Sequence, residues 1–217
     1  MARHETPLLL GASPGEALVH CIFIHGRTQS PEDMQEQAIA RLKTTGVAYI
    51  LPRAAGNSWY DARATDCLTD VTRQQLGNSV AHIRSLVVEA ARSTRRHVPL
   101  VIAGFSQGAC LAIEYAMQHG PWTGTMINFT GCRVGTASCQ RPFADLDCMP
   151  VYLTGSDKDS WISTDAFSAA AEALARARAR LRCEIFPDRA HEISAPEIAA
   201  MDVILSDITR RERPIWP

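Results

Sequence analysis

The sequence has almost no net charge and no long apolar run. Among its 217 residues, 22 Lys and Arg balance 23 Asp and Glu, which gives a formal charge of −1. A balance this even provides no broad field to attract nucleic acid or an anionic membrane. The leucines at 8–10 are too few for the core of a signal peptide, and no stretch approaches the length of a membrane span. We therefore expect a cytoplasmic protein with no nucleic-acid partner and no stable membrane insertion.

Motifs for metal or paired-thiol chemistry are also missing. The seven cysteines are odd in number, form no C-x-x-C pair and lie partly inside apolar runs, which favours mostly buried thiols in a reducing compartment. No H-E-x-x-H or similar ligand spacing occurs, so we predict no metal site and no cofactor.

The apolar pattern indicates an α/β protein. Apolar residues make up 46% of the chain, and short apolar runs alternate with longer helical patterns, as expected for a mostly parallel sheet with helices on both faces. One domain over 1–217 is expected, because no repeat or linker interrupts the series and no connection is long enough for a separate cap domain. Strands are predicted at 18–24, 47–51, 98–103, 125–129, 151–154 and 183–186, and helices at 31–46, 70–95, 109–117, 164–180 and 195–209. The basic run at 176–182 is interpreted as the solvated last turn of a helix.

The motif G-F-S-Q-G at 104–108 carries the strongest functional signal. It lies between a predicted strand and a predicted helix, where a sharp turn would lift the hydroxyl of Ser106 out at the carboxyl end of the sheet. The flanking glycines let the backbone pass without Cβ clashes. This pattern predicts a nucleophile elbow rather than an ordinary glycine-flanked turn.

A serine nucleophile needs a base, and the base needs an acid that orients it. After a strand-to-helix elbow, the acid and then the histidine follow along the chain, each on a loop after a strand. Asp157 and Asp159 both follow the strand at 151–154, and His191 follows the strand at 183–186. The other six histidines lie in predicted strands or helices, near the terminus or, like His25, before the serine. His191 is thus the predicted base, and both aspartates remain candidates for the acid.

Five segments in order resemble the phospholipase/carboxylesterase family of α/β-hydrolases, which includes acyl-protein thioesterases and small bacterial carboxylesterases. The resemblance runs along nearly the whole chain and implies a three-layer α/β-hydrolase fold without a cap. It also implies hydrolysis of carboxylic esters, with thioesters and lysophospholipids as further substrates of the class. The segments are I-F-I-H-G at 22–26, N-S-W-Y-D at 57–61, the elbow with Ala109, the loop around Asp159, and A-H-E-I-S at 190–194.

The family pattern adds residue roles. Its acid precedes an x-x-(V/I) step, which selects Asp159 over Asp157. Two backbone N–H groups should form the oxyanion hole, and the family loops together with the general chemistry point to Arg27 and Gln107. The family often has glycine where this chain has Thr28. Because a β-branched residue tolerates positive φ poorly, either the loop does not need it or its shape differs.

The substrate-binding residues are predicted from position alone. Trp59 and Trp161 lie on loops at strand ends, where they would wall an apolar acyl pocket or else cover the edge of the core. The Arg27 side chain is interpreted as a solvated surface cation, with attraction of an acidic leaving group as the alternative. A non-catalytic binding protein on the same scaffold and a serine peptidase are the rival functions. The oligomeric state is not fixed by these residues, and a homodimer stays open.

Overall fold

The computed structural model describes residues 5–94 and 97–212. A seven-stranded sheet with the order β1-β3-β2-β4-β5-β6-β7 runs through them, and every neighbouring pair is parallel except β1 with β3. The strands are β1 Glu5–Gly11, β2 Val19–Ile24, β3 Val47–Arg53, β4 Leu100–Phe105, β5 Gly124–Phe129, β6 Pro150–Ser156 and β7 Arg180–Phe186. The helices are α1 Pro31–Gln37, α2 Asp70–Arg92, α3 Gln107–His119, α4 Thr164–Arg176 and α5 Ala195–Thr209, with 3₁₀ turns at Ile39–Arg41 and Ala55–Asn57.

Alternation along the strands divides the core into two layers. In β2, Ile22 and Ile24 join the cluster that packs against α2, α3 and α4, whereas Cys21 and Phe23 join the one that packs against α1 and α5. A strand places successive side chains on opposite faces, so a fully apolar strand needs cover on both sides. The predicted mostly parallel sheet with helices on both faces is confirmed. Among the described residues, no helix has both the length and the apolar character needed to cross a bilayer.

Three helices end earlier than predicted. The helix predicted over 31–46 ends at Gln37, because Asp202 of α5 accepts the N–H groups of Lys43 and Thr44 at 2.9 and 2.8 Å and holds that segment outside a helix. The helix predicted to residue 180 ends at Arg176. The helix predicted over 70–95 is α2, which ends at Arg92; its predicted last residue, 95, lies outside the described residues.

The basic run at 176–182 is therefore not one helical turn. Arg178 takes a positive φ of 62°, and the chain enters β7 two residues later. On that strand, the guanidinium of Arg182 pairs with Glu184 and lies 5.0 Å from the ring centroid of Tyr152.

Two further expectations need correction. Strand β1 was not predicted, because its residues are mostly exposed and it pairs only at the sheet edge. The thiols are not mostly buried: Cys21, Cys110 and Cys132 are buried, whereas Cys67, Cys148 and Cys183 are exposed and Cys139 is half-buried.

Candidate active site

The elbow at Ser106 connects β4 directly to α3. Ser106 has φ 54° and ψ −119°, a backbone conformation that a residue other than glycine adopts only at a strained turn. A Cβ on Gly108 would lie 2.2 Å from the carbonyl oxygen of Ile24, and one on Gly104 would lie 2.5 Å from the Gly108 carbonyl carbon. Both glycines are therefore needed because backbone passes too close for any side chain.

The structure brings Ser106, His191 and Asp159 together. Each follows the carboxyl end of a parallel strand, β4, β7 and β6 respectively, so all three lie at the same edge of the sheet. His191 Nε2 lies 2.8 Å from Ser106 Oγ, and His191 Nδ1 lies 2.7 Å from Asp159 Oδ2. An ionised carboxylate only accepts, so the imidazole proton lies on Nδ1 and Nε2 is free to accept from the serine hydroxyl.

Asp159 is held as an oriented carboxylate. Its side chain is 0% exposed, against 17% for His191. Its Oδ1 accepts the backbone N–H groups of Trp161 and Ile162, both at 2.8 Å. Burial opposes ionisation of Asp159, but the hydrogen bonds from His191 and these two N–H groups outweigh it and keep its pKa below the ordinary value.

Asp157, the other candidate for the acid, has a different position. It is exposed, and its Oδ1 accepts the backbone N–H of Asp188 at 2.7 Å. Asp188 itself has φ 56°. The contact ties the β6 loop to residues 187–194, which we call the histidine loop.

A buried ion pair supports the histidine loop. Arg189 and Glu197 are 4% and 0% exposed in their side chains, and Arg189 Nε lies 3.5 Å from Glu197 Oε2. The same guanidinium donates to the carbonyl oxygens of Ala190 and Glu192, on either side of His191. It also donates to Thr130 Oγ1 at 2.7 Å. His191 is therefore flanked by two carbonyl groups that one arginine holds.

Glu197 has a second role at the start of α5. Its carboxylate accepts the N–H and the hydroxyl of Ser194 in the capping box that the sequence indicates, and it accepts the Thr154 hydroxyl at 2.5 Å. The sequence shows the local cap. The sequence does not show the pairing of Glu197 with Arg189, because no local pattern links a loop arginine to a glutamate in the first turn of the next helix.

The loop after β2 carries Arg27 close to Ser106. A Cβ on Gly26 would meet Ser106 Cβ at 3.3 Å, so this loop packs directly against the elbow. The buried His25 fixes it, because Nε2 accepts the N–H of Ala54 at 3.1 Å and Nδ1 therefore donates to the Gly26 carbonyl at 2.7 Å. Desolvation lowers the pKa of His25, which favours this neutral form. Thr28 has φ 64°, so the loop does use positive φ, and threonine adopts it.

The side chain of Arg27 is not a free surface cation. It donates to the backbone carbonyl oxygens of Tyr60, Asp61 and Ala62, the first two at 3.0 and 2.7 Å. These bonds fix the first three residues of the segment 60–65, which we call the crevice wall. The expectation of a solvated arginine is wrong, whereas the alternative of attraction to an acidic leaving group stays a prediction, because Arg27 also lines the crevice.

The side chain of Gln107 reinforces the same segment, which sequence reasoning missed. Its Oε1 accepts the N–H of Trp59 at 3.0 Å and its Nε2 donates to the Tyr60 carbonyl at 2.7 Å. The sequence does contain both partners, a glutamine directly after the serine and the N-S-W-Y-D segment at 57–61, but it gives no sign that the two are in contact.

The two tryptophans occupy different environments. Trp59 is 2% exposed, donates its indole N–H to the His25 carbonyl at 2.9 Å, and does not line the crevice. Trp161 is 63% exposed and does line it. Position at a strand end did not separate these roles. The structure places Trp59 in the core, which is the covering alternative, and leaves Trp161 beside the serine.

The crevice has a volume of about 510 Å³ and both polar and apolar lining. Phe105 and Trp161 bring rings to 5.0 and 6.3 Å from the His191 ring centroid. Arg27, Thr28 and several residues of the crevice wall supply polar groups. Within 5–94 and 97–212, no group of three His, Cys, Asp or Glu has the arrangement of a metal site.

Comparisons with known proteins identify the family and agree with the fold. The fold and its edge-located serine define an α/β-hydrolase, and residues 11–208 match the family model described as Phospholipase/Carboxylesterase. The chain belongs to the phospholipase/carboxylesterase family, a family of hydrolytic enzymes, and the resemblance seen in the sequence is confirmed. No sequence among curated proteins matches it.

Solved structures share the fold at low identity. A phospholipase/carboxylesterase from Dyadobacter fermentans is 24% identical with a TM-score of 0.83, covering 94% of this chain and 98% of that one. Acyl-protein thioesterase 2 of Zea mays is 15% identical with a TM-score of 0.73, covering 94% and 98%. The Bacillus cereus carboxylesterase is 14% identical with a TM-score of 0.73, covering 95% of each chain.

Proposed function

We propose that the protein is a serine hydrolase of carboxylic esters, with Ser106 as nucleophile, His191 as base and Asp159 as the orienting acid. The observation that carries the proposal is the continuous hydrogen-bond series from Ser106 Oγ through His191 to Asp159, at 2.8 and 2.7 Å. The first distance allows the Ser106 proton to pass to His191 Nε2 without rearrangement, and the second lets Asp159 hold the imidazole in place.

The reaction proceeds through an acyl-enzyme. Ser106 Oγ attacks the ester carbonyl carbon while His191 Nε2 takes the hydroxyl proton, and the imidazolium then gives that proton to the departing alcohol or thiol. Water attacks the acyl-serine with His191 again as base, releases the carboxylic acid and restores the serine hydroxyl. Asp159 stabilises the imidazolium and fixes its orientation.

The backbone N–H groups of Arg27 and Gln107 would bind the oxyanion. Support comes from the contact of Gly26 with Ser106 and from the position of Gln107 at the first residue of α3. Among the described residues, neither N–H has a hydrogen-bond acceptor. Removing one such donor typically lowers the rate by about 100- to 1000-fold.

The substrate is proposed to be an ester with an acyl group of moderate size, and thioesters or lysophospholipids belong to the same reaction class. The exposed Trp161 and the ring of Phe105 supply apolar surface next to the serine. Seven free thiols agree with a reducing compartment, and we propose the cytoplasm.

A fluorophosphonate probe tests the proposal directly. We expect wild type but not Ser106→Ala to be labelled, with Ser93→Ala as a control, since Ser93 lies at the far end of α2. Rates with p-nitrophenyl esters, matching thioesters and peptide anilides then identify the bond that is cleaved. Failure of labelling in folded wild type would favour a binding protein, and preference for the anilide would favour a peptidase.

A further inference from the structure

Two thiols meet beside the crevice wall. Cys67 Sγ lies 3.7 Å from Cys139 Sγ, although 71 residues separate them in the chain. Cys67 lies two residues after Thr65 of the wall, and Cys139 lies in the connection between β5 and β6. The first is exposed and the second half-buried, so dissolved reagents reach both.

The surroundings of the two thiols differ. The Thr136 hydroxyl lies 3.2 Å from Cys139 Sγ, and the backbone N–H of Leu68 donates to the same sulfur at 3.4 Å. These contacts, with Thr136 as the larger cause, lower the pKa of Cys139 to about 7. The hydrogen bond with Cys139 raises the pKa of Cys67. Cys139 is therefore the better nucleophile, and Cys67 is the resolving thiol.

Neighbouring contacts hold the two segments in place. The N–H of Gly135 donates to the Ala64 carbonyl at 2.6 Å, and Arg73 Nη1 donates to the Gln140 carbonyl at 2.9 Å. A disulfide needs a sulfur separation near 2.05 Å, so closing the gap takes about 1.7 Å, within reach of side-chain rotation and a small loop shift.

We propose that Cys67 and Cys139 are a redox-modification site that a hydroperoxide converts reversibly into a disulfide. The Cys139 thiolate attacks the outer oxygen of the peroxide, breaks the O–O bond and becomes a sulfenic acid as the alkoxide or hydroxide takes up a proton. Cys67 then attacks the Cys139 sulfur, and its own proton leaves with the hydroxyl group as water. A thiol reductant restores both thiols.

The disulfide would clamp the crevice wall to the β5–β6 connection. Ala64 and Thr65 line the crevice just before Cys67, so we expect the oxidised protein to accept bulky acyl groups less well. This consequence rests on the proposed esterase function, whereas the formation of the disulfide does not.

The chain contains an internal comparison. Cys110 Sγ and Cys132 Sγ lie 3.9 Å apart, but both side chains are buried. A dissolved peroxide should therefore oxidise the 67/139 pair first. Cys148 is exposed and serves as the matched control, because it lies in the same β5–β6 connection without a thiol partner among the described residues.

Treatment of the full chain with hydrogen peroxide tests the proposal, with mass spectrometry of non-reduced peptides as the readout. We expect a loss of two hydrogens and a 67–139 cross-link in wild type and in Cys148→Ser, reversed by dithiothreitol. Cys67→Ser should accumulate a sulfenic acid at 139 that dimedone traps, and Cys139→Ser should react at least about tenfold more slowly.

Two results would overturn the disulfide: no cross-link in wild type, or a cross-link between other cysteines. Sulfenic acid at 67 rather than 139 would overturn the proposal that Cys139 is the attacking thiol. The effect on hydrolysis is measured separately, as KM for a long-chain ester before and after oxidation. An unchanged KM rejects the clamp, while loss of fluorophosphonate labelling at Ser106 in reduced protein would reject the esterase and leave the cross-link result standing.

Discussion

The histidine loop and the crevice wall are held by different kinds of contact. In the histidine loop, a buried arginine and a buried glutamate fix the backbone around His191. In the wall, the partly exposed Arg27 and the buried Gln107 bind neutral backbone carbonyl groups, and Cys67 beyond it is exposed. Breaking a buried ion pair costs about 3–5 kcal/mol, whereas losing a hydrogen bond to a neutral backbone carbonyl costs about 1–3 kcal/mol. The backbone around His191 is therefore the more strongly fixed of the two, and the crevice wall tolerates more change.

The largest effect is expected at the acid that orients His191. Asp159→Asn should lower kcat for a p-nitrophenyl ester by about 10⁴-fold, because an amide at this position disturbs the imidazole tautomer. Asp157→Asn, which affects only the exposed contact with Asp188, should change kcat less than about threefold. Equal losses in both variants would show that the two aspartates act as a unit and contradict the assignment.

Loss of Arg189 should reduce both stability and turnover. Arg189→Met leaves Glu197 buried without its cation, so the free energy of unfolding should fall by about 3–5 kcal/mol. We also expect kcat to fall at least about tenfold, because the carbonyl groups beside His191 lose the guanidinium that joins them. Chemical denaturation and ester kinetics give the two values.

Two further variants sharpen that result. Arg178→Met removes exposed pairs with Asp145 and Asp147 and should cost under about 1 kcal/mol. Adding Glu197→Gln to Arg189→Met should restore part of the stability, since it removes the uncompensated charge. No recovery in the double variant would mean that the packing of the arginine, not its charge, holds the loop.

The two tryptophans provide the next test. Trp59→Ala should destabilise the protein by about 3–5 kcal/mol, as expected for a buried aromatic residue. Trp161→Ala should change stability by less than about 0.5 kcal/mol and raise KM for apolar acyl esters several-fold. The comparison fails if Trp161→Ala leaves KM unchanged for every acyl length from acetyl to palmitoyl.

A modest loss of stability is expected at Arg27. Arg27→Met keeps the backbone N–H but removes the bonds to three wall carbonyl groups, which should cost about 1–2 kcal/mol. We expect KM to rise more than kcat falls. A drop in kcat with unchanged KM would show that the wall helps to place the oxyanion donors.

Local patterns predicted which side chains come together, whereas long-range contacts decided the details. Ser106, Asp159 and His191 each follow a strand, and strand ends can be recognised from short apolar runs. The end of α1 depends on Asp202, which lies more than 150 residues away, and no local signal indicates it. Arg189 read alone is an ordinary loop cation, and only the fold brings it to Glu197 in the core.

Thr28 combines an unfavourable conformation with a useful contact. Its left-handed backbone costs about 1–3 kcal/mol, while its hydroxyl donates to the Arg27 carbonyl at 2.6 Å and its N–H donates to the Asn57 carbonyl at 2.7 Å. Glycine would relieve the torsional energy but remove the hydroxyl that pins the peptide plane following Arg27. Selection for thermal stability should therefore favour glycine at this position, whereas selection for a high catalytic rate should favour threonine.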